Sequence, residues 1–284
     1  MIDSISISTK AKILMMCSAL SFSIMAAIVK TSPYSAELNA FFRQIFSSLA
    51  IFTFIKITKL KIIPRRENWS KLIFRSIFGT IGIYFYFIAI NTLLLANASF
   101  LTRLSPFFVI IFAFVILKEK IDPSKWLIFL PMILGSMFII KPNTNVFNFN
   151  SLYAIVSAFF GALAYTMIKL IGKKESPYTI IFWFSTISSI LFLLIAFNEL
   201  ITIKNLDLIK MTCIGIFGVL GQIGLTISYQ ISKASDVAPY SYLYVIFSSL
   251  LGYLIWNEMP DYLSIIGFLL IILAYFLLLY RDKK

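Results

Sequence analysis

Apolar residues in this chain come in blocks of about 20, and the breaks between blocks hold charges, prolines or asparagines. An α-helix needs a block of that length to cross a hydrocarbon layer. Ten blocks qualify, over 11–29, 36–56, 72–91, 97–117, 124–140, 151–171, 178–197, 208–228, 236–256 and 262–280. The fifth is short and carries Pro131, which predicts a kink. The fourth and ninth carry Pro106 and Pro239, where carbonyls freed from helical bonding can meet a ligand or permit a bend. No gap between blocks is long enough to hold a water-soluble domain.

The blocks also repeat. Adding 139 to a residue number carries Ser18 and Ala19 onto Ser157 and Ala158, Lys30 onto Lys169, and Gly79 and Gly82 onto Gly218 and Gly221. The same offset carries Phe108 onto Phe247, Glu119 onto Glu258 and Asp122 onto Asp261. Self-similarity at one offset marks a duplicated unit. The turn-rich stretch from Lys141 to Asn150 then divides a first half, 1–143, from a second, 144–284. Five spans per half is an odd number, so the second half enters the membrane from the opposite side. The expected fold is an all-α integral membrane protein of ten transmembrane helices in a 5+5 inverted-topology repeat. Repeats of that kind build sites near the bilayer midplane that open to alternate sides.

Composition fits this picture. The chain is 60% hydrophobic and only 13% charged, against about 25% charged in soluble domains, and its mean hydropathy is +0.92. Its 29 Phe and 14 Tyr suit a lipid-facing surface with interfacial aromatic belts. The net charge of +13 raises nucleic acid as a partner, but the basic residues sit in short loops, as cytoplasmic anchoring requires. The expected partner is the lipid bilayer, with no nucleic acid. The loop between the second and third blocks, with Lys56, Lys59, Lys61, Arg65, Arg66, Lys71 and Arg75, sets the orientation. Placing it inside gathers most basic residues on that face and puts both termini in the cytoplasm. No small-residue cleavage site follows the first block, which reads as a retained helix rather than a signal peptide. Cys17 and Cys213 lie in apolar blocks without metal or redox spacing, and there is no histidine. Neither a metal nor another cofactor is expected.

A charge at the centre of a membrane helix costs about 2.5–3.5 kcal/mol, so it usually faces the bundle interior or a wet cavity. Arg43 and Arg103 are such charges. With Lys30 at the end of the first block, they predict a cationic pocket for a carboxylate or phosphate. The alternatives for Arg43 are pairing with Glu37 and snorkelling to the interface. Tyr86, Asn97, Gln222, Tyr240 and Tyr244 are the candidate polar groups of an apolar cavity, with belt positions as the alternative for the tyrosines. At α-helical spacing Tyr240 and Tyr244 share a face and Tyr242 points away. Gly215, Gly218, Gly221 and Gly224 recur every third residue and predict close helix packing. The Glu119–Asp122 and Glu258–Asp261 pairs are expected to cap the fifth and tenth helices.

Two stretches carry a family resemblance. SFLTRLSPFFVIIFAFVILKEKI in the first half and DVAPYSYLYVIFSSLLGYLIWNEMPD in the second resemble the EamA type of the drug/metabolite transporter superfamily, and the likeness extends over essentially the whole chain. Ala238-Pro239-Tyr240, Tyr242-Leu243 and Asn257-Glu258 are similar to the S-adenosylmethionine uptake transporters of intracellular bacteria. The resemblance implies a ten-helix basket in a bacterial inner membrane, with a cavity lined mainly by the first, third, fourth, sixth, eighth and ninth helices. Position 103 is small or apolar in the family's corresponding motif, so Arg103 departs from it and points to a substrate with an anionic group.

The expected function is alternating-access transport of a small zwitterionic or anionic metabolite, as S-adenosylmethionine-like uptake or exchange. The substrate carboxylate is expected on Arg103 and its adenine on Tyr86 or Tyr240. Efflux of amino acids or related metabolites stands beside this reading. All twelve acidic residues fall in loops or near helix ends, which favours facilitated transport or exchange over proton symport. A membrane enzyme would need a metal cluster or an activated nucleophile, neither of which the sequence offers, so no catalytic residue is expected. A non-transporting partner protein would not need a duplicated bundle. Monomer and homodimer both remain open.

Overall fold

The computed structural model describes residues 6–93, 95–102, 104–120, 149–201 and 207–257, with isolated positions at 203 and within 130–138 and 262–273. No strand occurs among the described residues. The helices are α1 (Ile7–Lys30), α2 (Ala36–Thr58), α3 (Trp69–Thr92), α4 (Leu95–Thr102) and α5 (Ser105–Val115) in the first half. The second half supplies α6 (Phe149–Ile171), α7 (Pro177–Leu200), α8 (Asp207–Ile231), α9 (Ala234–Val237) and α10 (Leu243–Trp256).

Seven described helices or helix runs are long and apolar enough to cross a membrane, the last being Ala234–Trp256. They correspond to the first three blocks and the sixth to ninth. The fourth block is broken: α4 stops at Thr102 and α5 restarts at Ser105, with Pro106 in its first turn. Proline lacks a donor and fits a helix only in that first turn. The ninth block is also irregular, with a 3₁₀ segment over Ala238–Tyr242 between α9 and α10. The fifth and tenth blocks, and with them Asp122, Glu258 and Asp261, lie almost wholly outside the described residues.

Local chemistry fixes the helix ends. The Ser6 and Ser35 side chains accept from the Thr9 and Leu38 amides at the starts of α1 and α2, filling donors that a helix leaves open. Left-handed Lys59 and Asn257 close α2 and α10. Inside the spans, the buried hydroxyls of Ser47, Ser76, Thr80 and Thr166 donate to the carbonyl four residues back, which satisfies each of them within its own helix. Ile57, Phe114, Leu194, Ile195 and Leu254 are exposed on the outer surface, which suits lipid contact.

The duplication is visible in the packing. α1 lies against α8, α3 against α6, and α2 against α7. Ser18 Oγ donates to the Gly221 carbonyl at 2.6 Å, and Ser157 Oγ donates to the Gly82 carbonyl at 2.8 Å. Under the 139-residue offset these are the same bond made twice, and such reciprocity is what a two-fold relation between the halves requires. The Ser48–Thr186 and Thr80–Ser188 hydroxyl pairs, at 2.7 and 2.5 Å, tie α2 and α3 to α7.

The glycines permit this approach. A Cβ on Gly82 would stand 3.1 Å from the Gly161 backbone nitrogen, whereas a Cβ on Gly161 meets nothing closer than 3.9 Å. Gly82→Ala is therefore expected to destabilise by about 1–3 kcal/mol, because backbone cannot step aside as a side chain can. Gly161→Ala is expected to be neutral. Thermal unfolding of the two purified variants in one detergent checks the order.

Acidic groups staple the helix ends. Glu175 accepts from the Arg65 amide and Asn68 Nδ2, both at 2.8 Å. Glu199 accepts from Ser35 N and Oγ, and Tyr34 donates to Asp207 at 2.9 Å. Glu119 accepts from Ala234 N and Ser235 Oγ, each at 3.4 Å, so it serves the start of α9 in the opposite half.

Candidate functional site

Arg43 is the eighth residue of α2, and α3 returns antiparallel after a short connection with Arg75 as its seventh residue. At 1.5 Å per residue, each lies roughly 10 Å in from its own helix start, and the two starts are on opposite faces. Both side chains reach one cavity from different depths, and both are buried, at 5% and 1% exposure.

Each guanidinium rests on an aromatic face and over a glycine. Arg75 Cζ is 3.8 Å from the centroid of the Phe184 ring, and Arg43 Cζ is 5.4 Å from that of Phe22, both within cation–π range. A Cβ on Gly79 would strike Arg75 Nη1 and the Phe184 ring, and one on Gly218 would stand 2.8 Å from Arg43 Cγ. Gly79 and Gly218 are partners in the repeat, so the duplication supplies two equivalent seats. The arginines that fill them are not equivalent: one comes from α3 itself and the other from α2.

The seats leave much of the charge unanswered. Arg43 Nη2 makes one long bond, 3.5 Å, to Gln222 Oε1, whose amide in turn donates to Thr226 at 3.1 Å. Arg43 Nε and Nη1 and Arg75 Nε have no partner among the described residues. Among the described residues no Asp or Glu lines the cavity. An aromatic face and one amide oxygen are weak compensation for two desolvated cations.

The remaining walls draw on both halves. Tyr86 of α3, Thr102 of α4, Ser105 of α5, and Ser157 and Tyr165 of α6 line the cavity, whose volume is about 80 Å³. That is room for several waters or a small anionic group. The Tyr86 and Tyr244 hydroxyls pair at 2.9 Å, with Ser99 3.4 Å behind. Tyr165 stacks on Tyr229, centroids 5.3 Å apart.

The sequence candidates divide accordingly. Arg43, Tyr86 and Gln222 meet in the cavity, and Arg43 does so without pairing to Glu37. Tyr244 stands one hydrogen bond behind Tyr86. Tyr240 lies elsewhere, 5.6 Å beneath Lys12 Nζ, and Lys30 stands at the end of α1 over the Trp256 ring at 5.0 Å; neither lines the cavity. The face argument for the tyrosines does not hold, because the turn is 3₁₀ rather than α, and Tyr240, Tyr242 and Tyr244 are all buried. Arg103 and the Asn97 side chain lie outside the described residues.

Arg75, Phe22, Phe184 and Tyr165 are among the lining groups that sequence reasoning missed. Arg75 reads there as the last charge of a basic loop, but it stands within α3 and is as buried as any core residue. One signal was available: Arg75 and Gly79 are four apart, and so on one helix face.

Comparison with known proteins agrees with this architecture. A solved crystal structure superposes on the chain with a TM-score of 0.77 at 16% identity, covering 96% of this chain and 99% of that one. The pseudopaline exporter of Pseudomonas aeruginosa is 32% identical over 96% of both chains. An S-adenosylmethionine uptake transporter of Rickettsia prowazekii is 26% identical over 92% of this chain and 88% of its own. The family model of EamA-like transporters matches twice, at residues 9–141 and 148–280. The chain is a multi-pass membrane protein and belongs to the EamA-like transporter family.

Proposed function

We propose that this transporter is a ten-helix carrier of a bacterial inner membrane. Its halves, 1–143 and 144–284, form a 5+5 inverted repeat with both termini in the cytoplasm. It moves a small metabolite, recognised through a carboxylate or similar anionic group, by alternating access. The observation that carries this reading is the pair of buried guanidiniums, Arg43 and Arg75, facing one cavity between the halves with no acid among the described residues of its wall. Such groups are expensive to keep in a membrane unless an anion completes them.

Gln222 and Tyr86 are the proposed orienting groups, and Tyr244 supports Tyr86 from behind. Arg103 remains a proposed third cation, since its chain neighbours Thr102 and Ser105 line the cavity. Relatives include both an exporter and uptake transporters, so direction is assigned to the gradient of the substrate rather than to the fold. A second reading keeps S-adenosylmethionine as substrate: its carboxylate meets an arginine and its sulfonium meets the Phe22 or Tyr86 ring. The similarity to uptake transporters of that compound favours it. The lack of an acidic wall group for its ammonium counts against it.

Flux through the purified, reconstituted protein tests both readings. Saturable uptake of a labelled carboxylate-bearing metabolite is expected, with competition by carboxylate analogues and none by their decarboxylated forms. Equal competition by both forms overturns anion recognition, and chemical conversion of the substrate in place of flux overturns the transporter reading.

A further inference from the structure

We infer that the cavity is a two-anion site, whose substrate presents two negative charges in one compact end: two carboxylates on a short spacer, or one phosphoryl group. This rests on the anion-carrier reading above and narrows its substrate class. A single carboxylate needs one fork of donors, and one arginine satisfies it bidentately. The wall supplies two guanidiniums with unused donors at Arg43 Nε, Arg43 Nη1 and Arg75 Nε. They are held apart on separate seats, Phe22 with Gly218 and Phe184 with Gly79.

A monoanion on either arginine leaves the other charge dehydrated and repelled. A dianion cancels both, and the cavity they share, about 80 Å³, has room for a compact group. The planar forks also set orientation. Arg75 is held close over the Phe184 ring, its Cζ 3.8 Å from the centroid. Arg43 sits more loosely at 5.4 Å from Phe22 with its long Gln222 bond, so Arg43 is the side that adapts to spacer length.

Thermal stabilisation of the detergent-purified protein by sodium salts at constant ionic strength tests this. Butyrate, succinate, glutarate and glycerol phosphate are the probes. The dianions are expected to reach half-maximal stabilisation at a concentration about 30-fold lower than butyrate, as a second close charge pair warrants. Arg43→Gln and Arg75→Gln should each cut that preference to about 3-fold or less, without abolishing butyrate binding. If either variant fails to fold, Arg43→Lys or Arg75→Lys replaces it: a lysine keeps the charge without the fork, and the preference should survive in weaker form. Preference for glycerol phosphate over the dicarboxylates supports the site and assigns it to phosphoryl groups. Equal potency of butyrate and succinate on the wild type overturns the two-anion site and leaves the carrier of monoanions standing. Stabilisation by none of the salts overturns both.

Discussion

Replacing either cavity arginine by methionine is expected to lower substrate flux at least 30-fold while raising the melting temperature of the purified protein. The two effects have one cause. Arg43 and Arg75 are dehydrated cations whose described surroundings offer aromatic faces and one amide oxygen. Exchanging buried ionic groups for well-packed apolar ones of similar volume is commonly neutral or stabilising, by about 1–4 kcal/mol. Methionine fills most of the arginine's space with a flexible apolar chain. The loss of flux comes from the other side of the same balance, because truncating one partner of a buried charge pair costs about 2–5 kcal/mol, or roughly 30-fold to several thousand-fold. A structural arginine would give a different result, with stability and flux falling together. Melting curves and initial rates on the same preparations separate the two, and a drop in both for Arg75→Met would remove Arg75 from the site. Tyr244→Phe is the contrasting variant: it removes the hydroxyl that pairs with Tyr86 but no charge, so a reduction of at most about five-fold is expected.

The two arginines also show where sequence reading works and where it stops. Arg43 is legible because it stands alone in an apolar run, and a lone charge there has few uses. Arg75 stands near a run of loop cations, where a snorkelling residue and a dehydrated one look alike. What buries it is Phe184, a residue more than a hundred positions away, brought in by the packing of α3 on α7. The duplication was easier, since each half records it separately: Ser18 with Gly221 and Ser157 with Gly82 obey one offset and make one kind of bond. Tyr240 shows the opposite case. Its placement follows from the 3₁₀ geometry of the turn over Ala238–Tyr242, and α-helical spacing therefore misassigns its face. Symmetry sets the seats at Gly79 and Gly218, while the residues filling them break it, and the binding chemistry lies in that break.

Uptake into vesicles preloaded with unlabelled substrate is expected to run at least ten times faster than uptake into empty ones. A carrier that alternates access must pass through a state closed to both sides. The cavity of about 80 Å³ holds two guanidiniums, with no acid among its described lining residues. A bound anion compensates them on the way across. An empty carrier returning must dehydrate both, and a penalty of only about 3 kcal/mol would slow that step roughly 100-fold. Net flux is then limited by the empty return and exchange is not, which gives trans-stimulation without any coupling ion. Arg75→Met should ease the empty return, so its remaining flux should show a stimulation ratio falling towards one. The sequence expectation that protons do not drive the carrier belongs to the same test, since the acids described in place sit at helix ends rather than on the cavity wall. Equal rates into loaded and empty vesicles would refute exchange. Uphill accumulation in empty vesicles under a pH gradient alone would replace it with proton symport, and Asp236, at the short helix α9, would be the first residue to neutralise.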